Sequence, residues 1–434
     1  MRFSPHTDGE IREMLAVTGH ASIDELFAQI PAPVRLDRPL TIPDGMSEIE
    51  LAADLRSLAG RNRSADDLIC FAGSGAYDHY VPSVVWALAG RSEFYTSYTP
   101  YQPELSQGVL QALFEYQSMI CELTGLDVSN ASLYDGATAL VEAVHMTLAP
   151  GRSRVLVAAG VEPRMVEALR TAGRGAGYEP ESFEGDPPVT DDVAAVVVQH
   201  PNAYGVLEPV RERSDAAHAG GARSVQVFDP LSLGVLAPPG ELGVDIAVAE
   251  GQGLGNHLNY GGPYLGIIAA RMDDVRKLPG RIVGETVDVE GRTGYVLTLQ
   301  AREQHIRRDK ATSNICTNQT LMALAAAVYL AWLGPQGLAE LGRQCVSKAA
   351  YAARELETIP GVERLFPDDA CFKEFAVRLP RPAAEVIDRM VERGFLAGVS
   401  MPRAGDDVLV VAVTERRSRR EIDAFVAAMA EVMA

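Results

Sequence analysis

The residues best placed to do chemistry are concentrated in a few short segments. YTPYQPE at 98–104, preceded by Tyr95, Thr96 and Ser97, sets rigid aromatics and prolines into an extended loop. Asn314, Thr317, Asn318 and Gln319 form a polar cluster, and Arg307 and Arg308 read equally as carboxylate binders or as an ordinary charged face. Ser132-Leu133-Tyr134-Asp135 matches the [ST]-x-x-[DE] capping box, in which side-chain oxygens satisfy free amides at a helix start. The glycine-rich GQGLGN at 251–256 is not G-x-G-x-x-G and comes too late for a first strand-to-helix turn of a dinucleotide fold.

Other reaction classes find no support. There is no P-loop and no G-x-S-x-G nucleophile elbow. The eight histidines make no short-spaced pair with one another or with cysteine, so a metal site would need convergence from distant segments, and none is expected. Cys70, Cys121, Cys316, Cys345 and Cys371 are odd in number and scattered, the pattern of reduced packing residues. Lysine is scarce: Lys277, Lys310, Lys348 and Lys373 are the whole supply of primary side-chain amines.

The chain has 434 residues, 47% hydrophobic and 22% charged, enough for a large core and a smaller satellite. A formal charge of −19 argues against a nucleic-acid or anionic-membrane surface, since phosphate contacts need a positive face. No uninterrupted apolar run approaches the roughly 20 residues of a membrane span, and MRFSPHTDGEIREML lacks a signal-peptide core, so a cytoplasmic address is expected.

Those residues need elements to hold them. Residues 1–70 read as short helices joined by the proline-bearing PAPVRLDRPLTIPDG, an arm lying on something else. Residues 71–334 form the large domain. There ELSQGVLQALFEYQSMICELTG carries Leu105, Val109, Leu113, Tyr116, Ile120 and Leu123 at helical spacing, and a second helix is expected after Ser132. From 155 to 270, apolar runs such as VLVAA, AAVVVQ, SVQVFD, VDIAVAE and YLGIIAA alternate with helical stretches, which predicts an α/β fold with a mostly parallel sheet. Residues 335–434 read as a smaller α+β lobe, with a long helix through Leu356 and the strands FKEFAVRL and VLVVAVT.

Five segments resemble the alpha part of the glycine cleavage system P-protein, the glycine dehydrogenase (decarboxylating). They are FAGSGAYDHYVP (71–82), YTPYQPELSQG (98–108), NASLYDGATALVEA (130–143), AEGQGLGNHLNYGGPYLG (249–266) and REQHIRRDKATSNICTNQ (302–319), in the family's order. The chain also stops where the alpha subunit of the two-gene form stops. Ala203-Tyr204, Gly253 and NHLNYGG depart from the usual family wording.

The resemblance implies the pyridoxal-phosphate transferase fold type I, whose chemistry needs an aldimine lysine, an aspartate on the pyridine nitrogen and a helix N-terminus for the phosphate. Asp229 stands where the family places the pyridinium partner, although a strand-end aspartate capping the next turn has the same look. At the lysine position the register gives Gln252-Gly253, and none of the four lysines is expected near it. Asp135 would put a carboxylate in the phosphate cup, so Asp135, Asp229, Gln252 and Gly253 are expected to mark a vestigial cofactor site. No catalytic residue is then expected on this chain alone.

The resemblance further implies an alpha subunit, inactive by itself, in an α2β2 heterotetramer whose beta subunit carries pyridoxal phosphate, decarboxylates glycine and passes aminomethyl to the lipoylated H-protein. Tyr95, Tyr98, Thr99, Tyr101, Gln102 and Asn318 would line the beta-chain site across the interface. A scaffold or regulatory homologue, and a specialised-metabolism paralogue acting on another amino acid, remain alternatives.

Overall fold

The computed structural model describes residues 5–36 and 38–434, which divide into two compact units, one up to residue 62 and one from residue 63. In the first, Asp8–Thr18 and Glu48–Ala59 are helices opened by complete capping boxes at Thr7 and Ser47. Among its described residues only Leu15 is buried, so the unit has almost no core of its own. Residues 1–4 and 37 of the sequence-predicted arm lie outside the described residues.

The arm is shorter than the 1–70 span read from sequence. The second unit begins at Arg63, and Ile69–Cys70 is a short strand pairing in parallel with Phe395–Leu396. The next residue, Phe71, stacks on Phe425 with ring centroids 4.0 Å apart, so this stretch belongs to the C-terminal lobe.

The second unit is built on a seven-stranded sheet. Its strands are β1 (Val128–Ser129), β2 (Arg154–Ala158), β3 (Pro180–Phe183), β4 (Val193–His200), β5 (Arg223–Phe228), β6 (Ile246–Glu250) and β7 (Gly266–Ala270). In space they run β1-β7-β6-β5-β4-β2-β3. The pairs from β3 to β6 are parallel and both pairs made by β7 are antiparallel. The central strands are buried nearly throughout, which is why their sequences are unbroken apolar runs rather than alternating ones.

Helix Gln107–Thr124 buries Val109, Leu110, Leu113, Tyr116 and Ile120 on one face and stops at Gly125, whose φ of 66° suits glycine. Leu105 is not part of that face: Pro103 starts a separate 3₁₀ turn, and Leu105 is exposed. The helix after Ser132 begins only at Gly136, because Leu133 is drawn into an antiparallel bridge with Gly266. The hairpin Ile282–Val287/Thr293–Thr298 is fastened to the first helix by Gln117, whose amide exchanges two 2.9 Å hydrogen bonds with the Val283 backbone.

Thr320–Leu356 is a helical stretch apolar enough over one window to cross a membrane by composition. It is broken at Gly334 (φ 60°, ψ 178°) before Pro335, and Ala323, Ala325, Ala326 and Tyr329 are packed in the protein core. The stretch passes from the large core to that of the C-terminal lobe between Cys345 and Ala349. That lobe is a four-stranded antiparallel sheet in the spatial order 363–364, Glu374–Arg378, Val408–Ala412, Val399–Ser400, with helices Ala383–Glu392 and Arg419–Met433.

Candidate functional site

The ends of β5 and β6 and the start of strand Glu374–Arg378 meet in one pocket between the large sheet and the C-terminal lobe. Asp229, just beyond β5, uses both carboxylate oxygens. Oδ1 accepts from Leu231 N at 3.0 Å, capping the turn that follows, and Oδ2 pairs with Lys373 Nζ at 2.6 Å. The capping reading of Asp229 is thus observed, and its second oxygen is engaged by a lysine from the other lobe.

Lys373 corrects the expectation that no lysine lies near this position. It is only 2% exposed, its Nζ donates to His79 Nε2 at 3.0 Å, and it sits 3.4 Å from the centroid of the Tyr77 ring. With Nε2 accepting, Nδ1–H of His79 donates to Glu415 at 2.6 Å. Burial raises the Glu415 pKa, but His79 and the Tyr80 amide outweigh it and hold the carboxyl down at about 2. Cys345 Sγ approaches the same carboxylate at 3.8 Å, so His79, Cys345 and Glu415 bring three potential metal-ligating atoms together, the convergence that sequence spacing does not reveal. Both ring nitrogens of His79 are already engaged by Glu415 and Lys373.

Glu374, beside Lys373, accepts from Ser74 N at 2.7 Å and from the Tyr77 hydroxyl at 2.8 Å. Burial pushes its pKa up to about 7 against the pull of those donors. Lys373-Glu374 opening an otherwise apolar strand was the one sequence signal for buried, paired charges.

The other positions expected to mark a vestigial site are Gln252, Gly253 and Asp135. Gln252 is buried; its Oε1 accepts from Tyr77 N at 2.8 Å, and its Nε2 donates to Tyr77 O at 3.1 Å and to Asn256 O at 2.7 Å. A side chain on Gly253 would start 3.2 Å from the His79 ring and 3.4 Å from Leu231. At the helix start, Asp135 is itself the N-cap, accepting from Thr138 N at 2.7 Å, and Ser132 is not. Glu250 Oε2 accepts from Gly136 N at 3.0 Å, so two carboxylates face this helix N-terminus. Burial lifts Glu250 to a pKa of about 7.

The side chains present do not fit pyridoxal phosphate. Asp229 is taken by an ammonium, no amine stands at 252 or 253, and carboxylates occupy the phosphate end. The cavity that remains is 50 Å³, room for a few waters where ligand pockets run to about 300 Å³ or more.

The sequence-predicted lining residues do not form one cluster. Tyr95 ends the short helix Ser92–Tyr95 and borders an apolar recess with Leu113, Leu321 and Leu324. Tyr98 is 81% exposed, Thr99 is half-buried and Gln102 is exposed. Tyr101 stands apart, accepting from Arg281 Nη2 at 3.3 Å, with the guanidinium 5.4 Å from its ring centroid. Asn318 Oδ1 accepts from the Thr320 hydroxyl at 2.7 Å near the start of the long helix. Asn314 is exposed and its carbonyl accepts from Gln304 Nε2, while Arg307 and Arg308 are exposed in short turns. Arg281 carried no sequence signal: LPGRIV looks like any hairpin approach.

A mostly parallel α/β sheet with a C-terminal α+β lobe and an aspartate in the pocket between them defines a pyridoxal-phosphate-dependent enzyme fold of type I. Distant structures share it: a C-DES variant with glycine covalently linked to the PLP cofactor superimposes with a TM-score of 0.62 at 15% identity, covering 85% of this chain and 100% of that one. The glycine cleavage system P-protein family model matches residues 1–429, and the chain belongs to that family. It is 51% identical, over 100% of both chains, to a probable glycine dehydrogenase (decarboxylating) subunit 1 of Moorella thermoacetica. It is also similar to the crystal structure of a glycine decarboxylase (P-protein) of the glycine cleavage system in inhibitor-bound form, with a TM-score of 0.93 and 47% identity over 100% of both chains.

Proposed function

We propose that this chain is the half of a two-chain glycine decarboxylase that lacks the aldimine lysine, working with a second chain of similar fold that carries pyridoxal phosphate. The observation that carries this reading is the Lys373–Asp229 pair: an internal cation answers the carboxylate that a cofactor ring would need. When bound to the second chain, the cofactor supplies the electron sink for decarboxylation. This chain supplies wall and interface, in an α2β2 assembly that hands aminomethyl to lipoylated H-protein, at a cytoplasmic address.

The part of this chain nearest the chemistry is the loop from Tyr95 to Gln102, with Asn318. Tyr98 supports the assignment, because a large aromatic left 81% in solvent is poorly explained by internal packing. Its ring would shut water out of the neighbouring site, and Thr99 and Gln102 would orient substrate by hydrogen bonds.

The test is reconstitution. The purified chain should retain no cofactor absorbance and release no carbon dioxide from glycine until the second chain is added, and Tyr98→Ala should lower the rate of the mixture at least tenfold. Activity of the chain alone, or full activity with Tyr98→Ala, would refute the reading.

A further inference from the structure

Arg281 is 5% exposed, yet among the described residues its guanidinium reaches no carboxylate. Its hydrogen bond from Nη2 goes to a neutral phenol, Tyr101 Oη, and its buried Nε has no partner. A buried guanidinium without a counter-charge is costly, and proteins keep one where an anion is to be received. In a chain with 58 acidic residues, leaving this one unpaired is the more notable.

Arg281 lines a cavity of 200 Å³ together with Tyr101, Glu303, His305 and Ile315. Its backbone is tied to two neighbouring segments. Ala131 N donates to Arg281 O at 2.8 Å, tying it to the segment before the Asp135-capped helix, and the following hairpin is clamped by Gln117. Tyr101 stands edge-on to His305, ring centroids 6.4 Å apart, and His305 Nδ1 lies 3.8 Å from Glu303.

We infer that Arg281 and Tyr101 form a receptor for a small monocarboxylate, and that in the assembled enzyme its occupant is the carboxylate of the amino-acid substrate. A guanidinium offers paired N–H donors that match a carboxylate, and the phenol adds a third donor beside them. The volume suits a ligand of a few heavy atoms, since a water takes about 30 Å³ and drug-sized pockets start near 300 Å³. Glu303 on the same cavity leaves no place for a second negative charge, so dianions such as phosphate are disfavoured. The identity of the occupant rests on the decarboxylase reading; the carboxylate site itself does not.

The experiment has two arms. On the full chain alone, ¹³C-acetate and ¹³C-glycine line broadening should saturate with wild type, vanish with Arg281→Gln, weaken severalfold with Tyr101→Phe and survive in part with Arg281→Lys; phosphate and methylammonium should not compete. In the reconstituted enzyme, Arg281→Gln should raise the KM for glycine at least tenfold with a much smaller change in kcat, and Arg281→Lys should restore part of it. No saturable acetate binding, or an unchanged KM, overturns the proposal. So does a variant that folds but no longer assembles with the second chain, because Arg281 would then be answering a partner carboxylate. Should Arg281→Gln not fold, Arg281→Lys and Tyr101→Phe carry both arms. Tyr98 lies outside this cavity, so failure of the loop assignment is told apart from failure of the receptor.

Discussion

Lys373 holds its ammonium 2.6 Å from Asp229 Oδ2, and the two come from different lobes of one folded unit. The pair is nearly sealed from solvent, with side-chain exposures of 3% and 13%. Removing one partner leaves the other charge buried and unpaired, which costs about 3–5 kcal/mol. Lys373→Met should therefore lower the unfolding free energy by about that much in urea titrations, and Lys373→Met/Asp229→Asn should recover part of the loss. Single variants that each cost under about 1 kcal/mol would show that the pair is solvated in solution.

Glu374 gives a pH signature. Burial raises its folded pKa to about 7, above the 4.5 of an ordinary glutamate, so its stabilising contribution is complete below pH 4.5 and is lost as pH rises through 7. Glu374→Gln, a mimic of the protonated form, should gain on wild type between pH 5 and 8, with a ceiling of about 3.5 kcal/mol at about 1.4 kcal/mol per pKa unit. Urea midpoints for both proteins at four pH values across that range provide the check; a constant difference would rule out Glu374 as the source.

Installing a lysine at Gln252 should not create a cofactor site. Gln252→Lys removes hydrogen bonds to both backbone groups of Tyr77 and to Asn256, at a cost of about 2–4 kcal/mol, and leaves Lys373 on Asp229. Incubated with pyridoxal phosphate and dialysed, the variant should be colourless. A retained visible absorbance band would mean that the pocket opens more easily than its packing implies.

Asp135 separates capping from charge. Asp135→Ala loses the hydrogen bond from Thr138 N and should cost about 1 kcal/mol, whereas Asp135→Asn keeps a cap and removes the charge that helps raise Glu250. Asparagine should thus be near neutral at pH 8. Equal losses for both variants in thermal or urea unfolding would assign the effect to charge.

The sheet was legible because β4, β5 and β6 are buried on both faces and carry unbroken apolar runs. The places of Asp229 and Gln252 just beyond strand ends were legible because the apolar runs stop there. Lys373 was not: its pocket is completed by a strand from the other lobe, and nothing in FKEF tells which carboxylate it will meet. The helix start was misplaced by three residues, since the Leu133–Gly266 bridge overrides the local capping preference of Ser132. Arg281 was invisible for a different reason. What marks it is a missing partner, and only three-dimensional surroundings can show that.

The close fit at Gly205 bears on how this protein joins others. A side-chain carbon there would fall 1.9 Å from the Glu374 carbonyl oxygen, and on either side Phe372 N donates to Gly205 O and Leu207 N to Ala370 O. The main chain of one lobe is thus laced to that of the other without a hinge. A molecule fixed in this way offers an arriving subunit a finished template, so association should show little heat-capacity change beyond that of the surface covered, and its speed should follow collision and salt rather than a slow rearrangement.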